Sequence, residues 1–133
     1  MMMAKRILLV DDNEADNVYH EIMLRRAGFS GDVVICESGE AALDYLRDHG
    51  DALPELVLLD INMPGMDGFE FAQHATRYLQ AGDTATIVML TSSASEADRR
   101  RARQLPVIRG YIIKPLNEIT AGELLAGKFD TDF

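Results

Sequence analysis

Five short apolar runs lie along the chain, and each is followed by a segment with helical periodicity. The runs do not alternate between apolar and polar residues, which is typical of strands buried on both faces of a parallel sheet. This alternation of strands and helices predicts an α/β domain with a parallel sheet and right-handed crossovers. The predicted strands cover residues 7–10, 33–36, 56–59, 86–90 and 111–113.

Polar residues and glycines mark the predicted ends of the helices. Ser38 is placed to cap the second helix, and Asp67 with Glu70 resembles a capping box for the third. Gly28 is placed to end the first helix. The first helix covers residues 14–27, the fourth 96–104 and the last 117–126, and a turn is predicted at Gly82–Asp83. The residues of the first helix that recur at helical spacing are Ala15, Val18, Ile22 and Met23.

The length and composition are those of one globular domain. The chain has 133 residues, of which 47% are hydrophobic and 26% charged. Cys36 is the only cysteine, so no internal disulfide can form, and a reduced, partly buried thiol is expected. We expect residues 1–133 to form a single domain, with a core at about residues 6–126 and no output domain.

The net charge of −9 argues against nucleic acid or an anionic membrane as a direct partner, because both require a positive field. The charge suits a protein that binds a cation, although acidity can also serve solubility alone. The apolar run after Lys5 and Arg6 stops at Asp11, which is too short for a signal peptide or a membrane span. We therefore expect a cytoplasmic protein.

Polar residues interrupt the apolar runs at one and the same end. Asp11 and Asp12 follow the first strand, Asp60 the third, Thr91 the fourth and Lys114 the fifth. In open α/β sheets ligands bind beyond the carboxyl ends of the strands. These residues are therefore predicted to meet in one site.

The residue types at the strand ends indicate cation binding and phosphoryl transfer. Three carboxylates at one rim repel one another unless a cation is present, and an oxygen-only set suits Mg²⁺ better than zinc. A carboxylate such as Asp60 can act as a nucleophile and form an acyl phosphate. Lys114 can neutralise charge on the phosphoryl oxygens, and Thr91 offers a hydroxyl donor.

Taken together, these motifs resemble the receiver domain of two-component response regulators. The resemblance is carried by Asp11-Asp12, by Asp60 within LLDINMPGMDG, by Thr91 and by Lys114-Pro115, and it runs from about residue 6 to 125. It implies a flavodoxin-like (βα)5 fold with strand order 2-1-3-4-5. Residues 12–16 (DNEAD) resemble more narrowly the Asp-Asn-Pro-Ala-Asp stretch of stand-alone regulators paired with bacterial phytochromes, with Glu14 in place of proline.

The resemblance also implies a role for each site residue. Asp60 would accept a phosphoryl group from a histidine kinase or a phosphotransfer protein. Asp12 and Asp60 would bind Mg²⁺ directly, together with the backbone carbonyl of Asn62, and Asp11 would reach the ion through water. Lys114 would pair with the phosphoryl oxygens, and the protein would not be an enzyme beyond catalysing its own phosphorylation and dephosphorylation.

The implied switch consists of Thr91 and Tyr111. Thr91 would hydrogen-bond the phosphoryl group, and Tyr111 would move inward with it. The bond before Pro115 would be cis. Receivers usually carry Ala or Gly directly after the conserved Ser/Thr, whereas this chain has Ser92. Asn62 and Ser93 would flank the path of the attacking water and tune the lifetime of the acyl phosphate.

Each motif has a plainer interpretation when it is taken alone. Asp11-Asp12 could begin a helix, Asp60 could form a turn, and Tyr111 could serve only packing. A magnesium-dependent phosphohydrolase with an Asp nucleophile is a rival function, but a haloacid-dehalogenase-type enzyme needs an acid where this chain has Asn62. A pseudo-receiver that only binds partners is a further rival, although none of the acidic or Lys residues is lost. The three histidines share no ligand spacing and are expected at the surface: His20, His49 and His74.

The fourth helix is arginine-rich and the last helix and tail are acidic. The arginines are usually a solvated face, but they could also bind a partner. Opposite charges on one face can pair across a two-fold axis, so a homodimer through α4, β5 and α5 is a further hypothesis. The residues involved are Arg99, Arg100, Arg101, Arg103, Glu118, Glu123, Asp130 and Asp132. The sequence does not identify the cognate kinase or the downstream target.

Overall fold

The apolar runs form the strands of one parallel sheet, and the segments between them form helices. The structure, a computed structural model, describes residues 5–79, 85–129 and 133. The elements are β1 (Arg6–Val10), α1 (Glu14–Arg26), β2 (Asp32–Cys36), α2 (Gly39–Asp48), β3 (Leu56–Leu59), α3 (Gly68–Leu79), β4 (Thr86–Thr91), α4 (Glu96–Arg103), β5 (Ile108–Ile113) and α5 (Glu118–Leu125).

The strand order is β2-β1-β3-β4-β5, and every pairing is parallel. This confirms the predicted order 2-1-3-4-5. The central strands β3 and β4 are buried along their whole length, which explains their unbroken apolar runs. β5 begins three residues before the predicted run, because the buried Gly110 packs against Val88 and continues the pairing with β4.

Alternate residues of the central strands pack into two hydrophobic layers, one on each face of the sheet. Leu8 and Val10 face a layer that includes side chains of α2, α3 and α4, whereas Ile7 and Leu9 face a layer formed with α1 and α5. Burial of each such side chain contributes about 1.5–3 kcal/mol of transfer free energy. The sheet is therefore held between helices on both faces, and this packing fixes the edge at which the strands have their carboxyl ends.

The helix starts follow the predicted capping chemistry. Ser38 accepts a hydrogen bond from the Ala41 N–H at 3.0 Å. Asp67 and Glu70 form a reciprocal capping box, with distances of 2.8 and 3.1 Å between each side chain and the other residue's N–H. Gly28, with φ of +106°, ends the first helix as predicted.

The inner face of α1 differs from the apolar pattern of its sequence. Met23 is buried, but Ala15, Val18 and Ile22 are exposed. In the first turns of α1 the buried residues are instead Asn17 and His20, whose exposed fractions are 2% each. The prediction that all histidines lie at the surface is therefore wrong for His20, although His49 and His74 are exposed.

A polar contact explains why this face of α1 is turned toward the protein interior. The Asn17 side-chain amide donates to the backbone carbonyl of Asp11 at 2.9 Å. His20 lies three residues further along the same helical face and is buried with it. Burial lowers the pKa of His20, and nearby Lys114 lowers it further, so the neutral imidazole is favoured.

Within the described ranges, no helix is long and apolar enough to cross a membrane. The turn predicted at Gly82–Asp83 lies outside the described residues. The same holds for Asp130 and Asp132.

Candidate functional site

The acidic residues are placed at the sheet edge by backbone hydrogen bonds that extend the parallel ladders. The Asp11 N–H donates to the Cys36 carbonyl at 3.1 Å, and the Asp60 N–H donates to the Val10 carbonyl at 2.9 Å. These bonds fix Asp11 and Asp60 next to each other, one residue beyond β1 and β3. The structure therefore brings together the strand-end residues that the sequence singled out.

Three carboxylates meet at this edge. Oxygens of Asp11, Asp12 and Asp60 lie within 4.8 Å of one another. Asp11 and Asp60 are only 4% and 6% exposed, whereas Asp12 is open to solvent. Burial and the charge of Asp11 raise the pKa of Asp60, and this rise is opposed by Lys114, the Thr91 side chain and the Ile61 N–H. The cluster is a partly buried group of like charges, which a bound cation would stabilise.

The cluster fits Mg²⁺ by the chemistry of its donors. All side-chain ligands are carboxylate oxygens, and exposed Asp12 leaves one side open for the water molecules that Mg²⁺ retains. The segment after Asp60 places Asn62 on the exposed side, where its backbone carbonyl is the further ligand implied by the resemblance. Asn13 and not Asp12 caps α1, so the acidic pair does not serve as the helix start.

Lys114 brings the only ammonium group that approaches the cluster among the described residues. Its backbone N–H donates to the Thr91 carbonyl at 2.8 Å, which extends the pairing of β4 with β5. Its Nζ lies 2.7 Å from Asp11, 2.8 Å from Asp16 and 3.6 Å from Asp60. Burial lowers the pKa of Lys114, but Asp11, Asp16 and the charge of Asp60 together raise the pKa above its usual value. The Lys114–Pro115 bond is cis, as the resemblance implied.

The loop after Asp60 packs tightly against the Asp60 backbone. The Ile61 N–H donates to the Asp60 carboxylate at 2.9 Å, and the Gly68 N–H donates to the Ile61 carbonyl at 2.8 Å. A Cβ at Gly68 would lie 2.3 Å from the Asp60 carbonyl oxygen. Only glycine fits at this position, which fixes the start of α3 against Asp60.

The loop after β4 connects the site to β5. Thr91 is fully buried, and its Oγ1 accepts a hydrogen bond from the Ser93 N–H at 3.2 Å. The Ser93 hydroxyl donates to Asp98 at 2.6 Å, and the Tyr111 hydroxyl donates to the Ser93 carbonyl at 2.8 Å. Thr91 and Tyr111 are therefore joined through a single residue, whereas Ser92 is exposed.

Tyr111 lies inward and is covered from outside. Its exposed fraction is 8%, the Arg99 guanidinium lies 4.8 Å from the ring centroid, and the ring of Phe133 stacks on it at 6.0 Å. Phe133 was not singled out from the sequence, because no local pattern indicates which surface a terminal aromatic residue will cover. Asp16 was also missed, because acidity in the first turn of a helix is common and carries no sign of a distant lysine.

The family model for the response regulator receiver domain matches residues 7–125. The chain belongs to the response regulator receiver family. Receiver domains are signalling switches of two-component systems that bind Mg²⁺ at an acidic pocket and take phosphoryl groups from histidine kinases. The resemblance inferred from the strand-end motifs is thereby confirmed.

The relatives of this receiver are varied. A probable methanogenesis regulatory protein, FilR2, of Methanothrix harundinacea is 41% identical over 84% of this chain and 72% of its own length. The chemotaxis protein CheY4 of Vibrio cholerae superposes with a TM-score of 0.76 at 28% identity, covering 96% of this chain and 98% of CheY4.

The bacteriophytochrome response regulator RtBRR gives a TM-score of 0.77 at 31% identity, covering 96% of this chain and 78% of RtBRR. Two further curated relatives, both transcriptional regulatory proteins, are longer, and the receiver covers 46% of each.

A glycine exchange tests how tightly the loop fixes Asp60. Gly68→Ala forces the backbone of Asp60 or Ile61 to move, so we expect a loss of about 1–3 kcal/mol in the free energy of unfolding. The matched control is Gly122→Ala in α5, where a Cβ meets nothing within 4 Å. The control should gain up to about 1 kcal/mol. Urea unfolding measures both, and equal stability of the two variants would contradict the described packing.

Proposed function

We propose that this receiver is a phosphorylation-activated switch in which Asp60 accepts a phosphoryl group in the presence of Mg²⁺. The donor is a histidine kinase or a histidine phosphotransfer protein. Asp11, Asp12, Asp60 and Lys114 converge at one edge of the sheet, and this convergence is the main support for the proposal. No other function considered from the sequence uses all of these residues.

The proposed reaction is a direct transfer between two side chains. An Oδ atom of Asp60 attacks the phosphorus, an O–P bond forms, and the N–P bond to the donor histidine breaks. The electron pair of that bond stays on the leaving imidazole, which takes up a proton. Dephosphorylation is hydrolysis, in which water attacks the phosphorus and the bond from Asp60 Oδ to phosphorus breaks. The Asp60 carboxylate is restored and inorganic phosphate is released.

The surrounding residues neutralise and orient charge in this reaction. Asp12, Asp60 and the Asn62 carbonyl would hold Mg²⁺, with Asp11 acting through water, and the bound ion would offset charge on the phosphoryl oxygens. Lys114 would pair with a phosphoryl oxygen, and the Thr91 hydroxyl would donate to another. Asn62 and Ser93 would flank the path of the attacking water and tune the lifetime of the acyl phosphate, and the Ser93 hydroxyl donates to Asp98 in this structure.

The rival functions account for less of the site. A haloacid-dehalogenase-type phosphohydrolase needs a general acid two residues after the nucleophile, and Asn62 cannot protonate a leaving group. A pseudo-receiver would not need the Lys114 ammonium among intact carboxylates. Cytoplasmic location, the lack of nucleic-acid or membrane partners and the lack of any further enzymatic activity stay predictions.

An exposed apolar stripe on α1 supports docking of a protein donor beside the site. Val18, Tyr19 and Ile22 are 52%, 42% and 43% exposed, and they lie on α1, the helix that follows Asp11 and Asp12. Apolar side chains at this helical spacing suit packing against another helix. We propose that the phosphohistidine donor presents such a helix.

Phosphoryl transfer to Asp60 is tested with a small phosphodonor. With Mg²⁺, the chain should gain one phosphoryl group, detected by intact mass, and Asp60→Asn should gain none. Chelation of Mg²⁺ should stop the reaction, because the carboxylates would then repel the anion. Asp51→Asn, an exposed residue between α2 and β3, is the matched control and should react normally. A phosphoryl group on Asp60→Asn would refute the assignment.

We propose that phosphorylation is transmitted through Thr91, Ser93 and Tyr111 to the face formed by α4, β5 and α5. In this structure the Thr91 hydroxyl accepts a hydrogen bond from the Ser93 N–H at 3.2 Å. If the Thr91 hydroxyl moved toward the phosphoryl group, this hydrogen bond would break. Ser93 also holds the Tyr111 hydroxyl. A shift in this loop would therefore change how Tyr111 packs, and phosphorylation can act only through such a difference between two states.

We propose that phosphorylation promotes a homodimer through this face. The contacts of the arginines of α4 indicate which of them could bind the second copy. Arg99 packs on Tyr111, Arg101 lies 4.4 Å from the Phe69 ring, and Arg103 pairs with Glu96 at 2.8 Å. Arg100 is the arginine of α4 for which no contact of these kinds is found within the described ranges. It is therefore the best candidate to pair with Glu118 or Glu123 of a second copy. Exposed pairs contribute only up to about 1 kcal/mol each, so the dimer should be weak.

Sedimentation with and without a phosphoryl mimic, at two salt concentrations, tests the switch and the dimer together. Wild type should associate more strongly with the mimic and less at high salt. Thr91→Ala should bind the mimic without the gain in association, and Arg100→Glu should lose association in both states. A monomer under all conditions, or a dimer indifferent to Arg100→Glu, would exclude this interface.

A further inference from the structure

Lys114 is closer to a residue of α1 than to the phosphoacceptor. Its Nζ is 2.8 Å from the Asp16 carboxylate and 3.6 Å from that of Asp60. The remaining close partner is Asp11 at 2.7 Å. The ammonium thus donates a hydrogen bond to Asp16 and forms an ion pair with Asp11, whereas its distance to Asp60 exceeds that of a hydrogen bond.

Asp16 is held firmly in this place by the start of α1. Its backbone N–H donates to the side chain of the N-cap residue Asn13 at 2.9 Å. The neighbouring Asn17 is anchored to the Asp11 carbonyl. The Lys114 side chain is 14% exposed and that of Asp16 is 38% exposed, so the pair is only partly screened by water. Asp16 is therefore a negative charge of α1, outside the set of three carboxylates, that pairs with Lys114.

We propose that Asp16 is a positioning residue that draws the Lys114 ammonium away from Asp60 and so leaves the Asp60 carboxylate open to Mg²⁺. The inference rests on the proposed function of that cluster. In the resting protein, an ammonium paired with Asp60 would occupy a carboxylate oxygen that the ion needs and would repel the ion. Asp16 removes this competition while it keeps Lys114 within reach of an incoming phosphoryl group.

Removal of the Asp16 charge should weaken Mg²⁺ binding because the Lys114 ammonium loses a partner on α1. In Asp16→Asn the charged carboxylates nearest to Lys114 are those of Asp11 and Asp60, so we expect the ammonium to move toward Asp60. Loss of any nearby negative charge also weakens cation binding through the long-range field. Glu14→Gln removes the same charge from the same helical turn, where Glu14 is exposed and outside the contacts of Lys114. It therefore isolates the contribution of the ion pair.

Calorimetric titration with Mg²⁺ alone, without a phosphodonor, is the first measurement. We expect Asp16→Asn to weaken Mg²⁺ binding by about fivefold or more. Glu14→Gln should weaken it by less than about twofold, and Asp16→Glu, which retains the charge, should stay near wild type. Asp16 lies at the surface of α1, so circular dichroism should show all three variants folded.

The Mg²⁺ dependence of phosphorylation by a small donor is the second measurement. For Asp16→Asn the Mg²⁺ concentration at half-maximal rate should rise, while the rate at saturating Mg²⁺ stays unchanged. Equal Mg²⁺ affinities of Asp16→Asn and Glu14→Gln, or tighter binding by Asp16→Asn, would overturn the role of Asp16. A wild type that neither binds Mg²⁺ nor accepts a phosphoryl group would instead overturn the proposed function.

Discussion

Repulsion among three carboxylates at one edge of the sheet is the constraint on which the rest of the site depends. Asp11 and Asp60 are fixed by ladder hydrogen bonds to β1 and its neighbours, so they cannot move apart. Burial prevents water from screening them fully, and the pKa of Asp60 is raised as a result. The site therefore holds unfavourable electrostatic energy in its empty state, and binding of a hard cation relieves it.

The fold makes this constraint possible because parallel strands end at one edge. The layers of apolar side chains on both faces hold the sheet, and Asp11 and Asp60 follow directly where β1 and β3 end. Lys114 offsets part of the repulsion, but its ammonium is shared with Asp16 on α1. The loop after β4 connects Thr91 to Tyr111, because Ser93 hydrogen-bonds to both side chains.

The sequence predicted those features that depend on local pattern. Strand runs, caps and the strand-end residues Asp60, Thr91 and Lys114 are visible because each is defined by its immediate neighbours along the chain. The topology then needed only the rules for parallel sheets and the family resemblance. The start of β5 was missed because Arg109 and Gly110 break the apolar run, although pairing with β4 carries the strand through them.

Features that depend on contacts between distant segments could not be predicted. His20 is buried because Asn17 of α1 bonds to the Asp11 carbonyl, a contact that overrides the apolar spacing of Val18 and Ile22. The pair of Asp16 with Lys114 joins residues 98 positions apart, and no periodicity indicates it. The stacking of Phe133 on Tyr111 likewise depends on where the chain returns.

Repulsion among the carboxylates is tested by comparing the free energy of unfolding of wild type and Asp60→Asn at neutral pH, in chelator and in Mg²⁺. Without Mg²⁺, Asp60→Asn should be more stable than wild type, because a buried like charge is removed. Mg²⁺ should then stabilise wild type, by about 2.7 kcal/mol at a concentration about 100 times its Kd, and stabilise the variant much less. A variant that is less stable than wild type in chelator, with an undiminished response to Mg²⁺, would contradict the account.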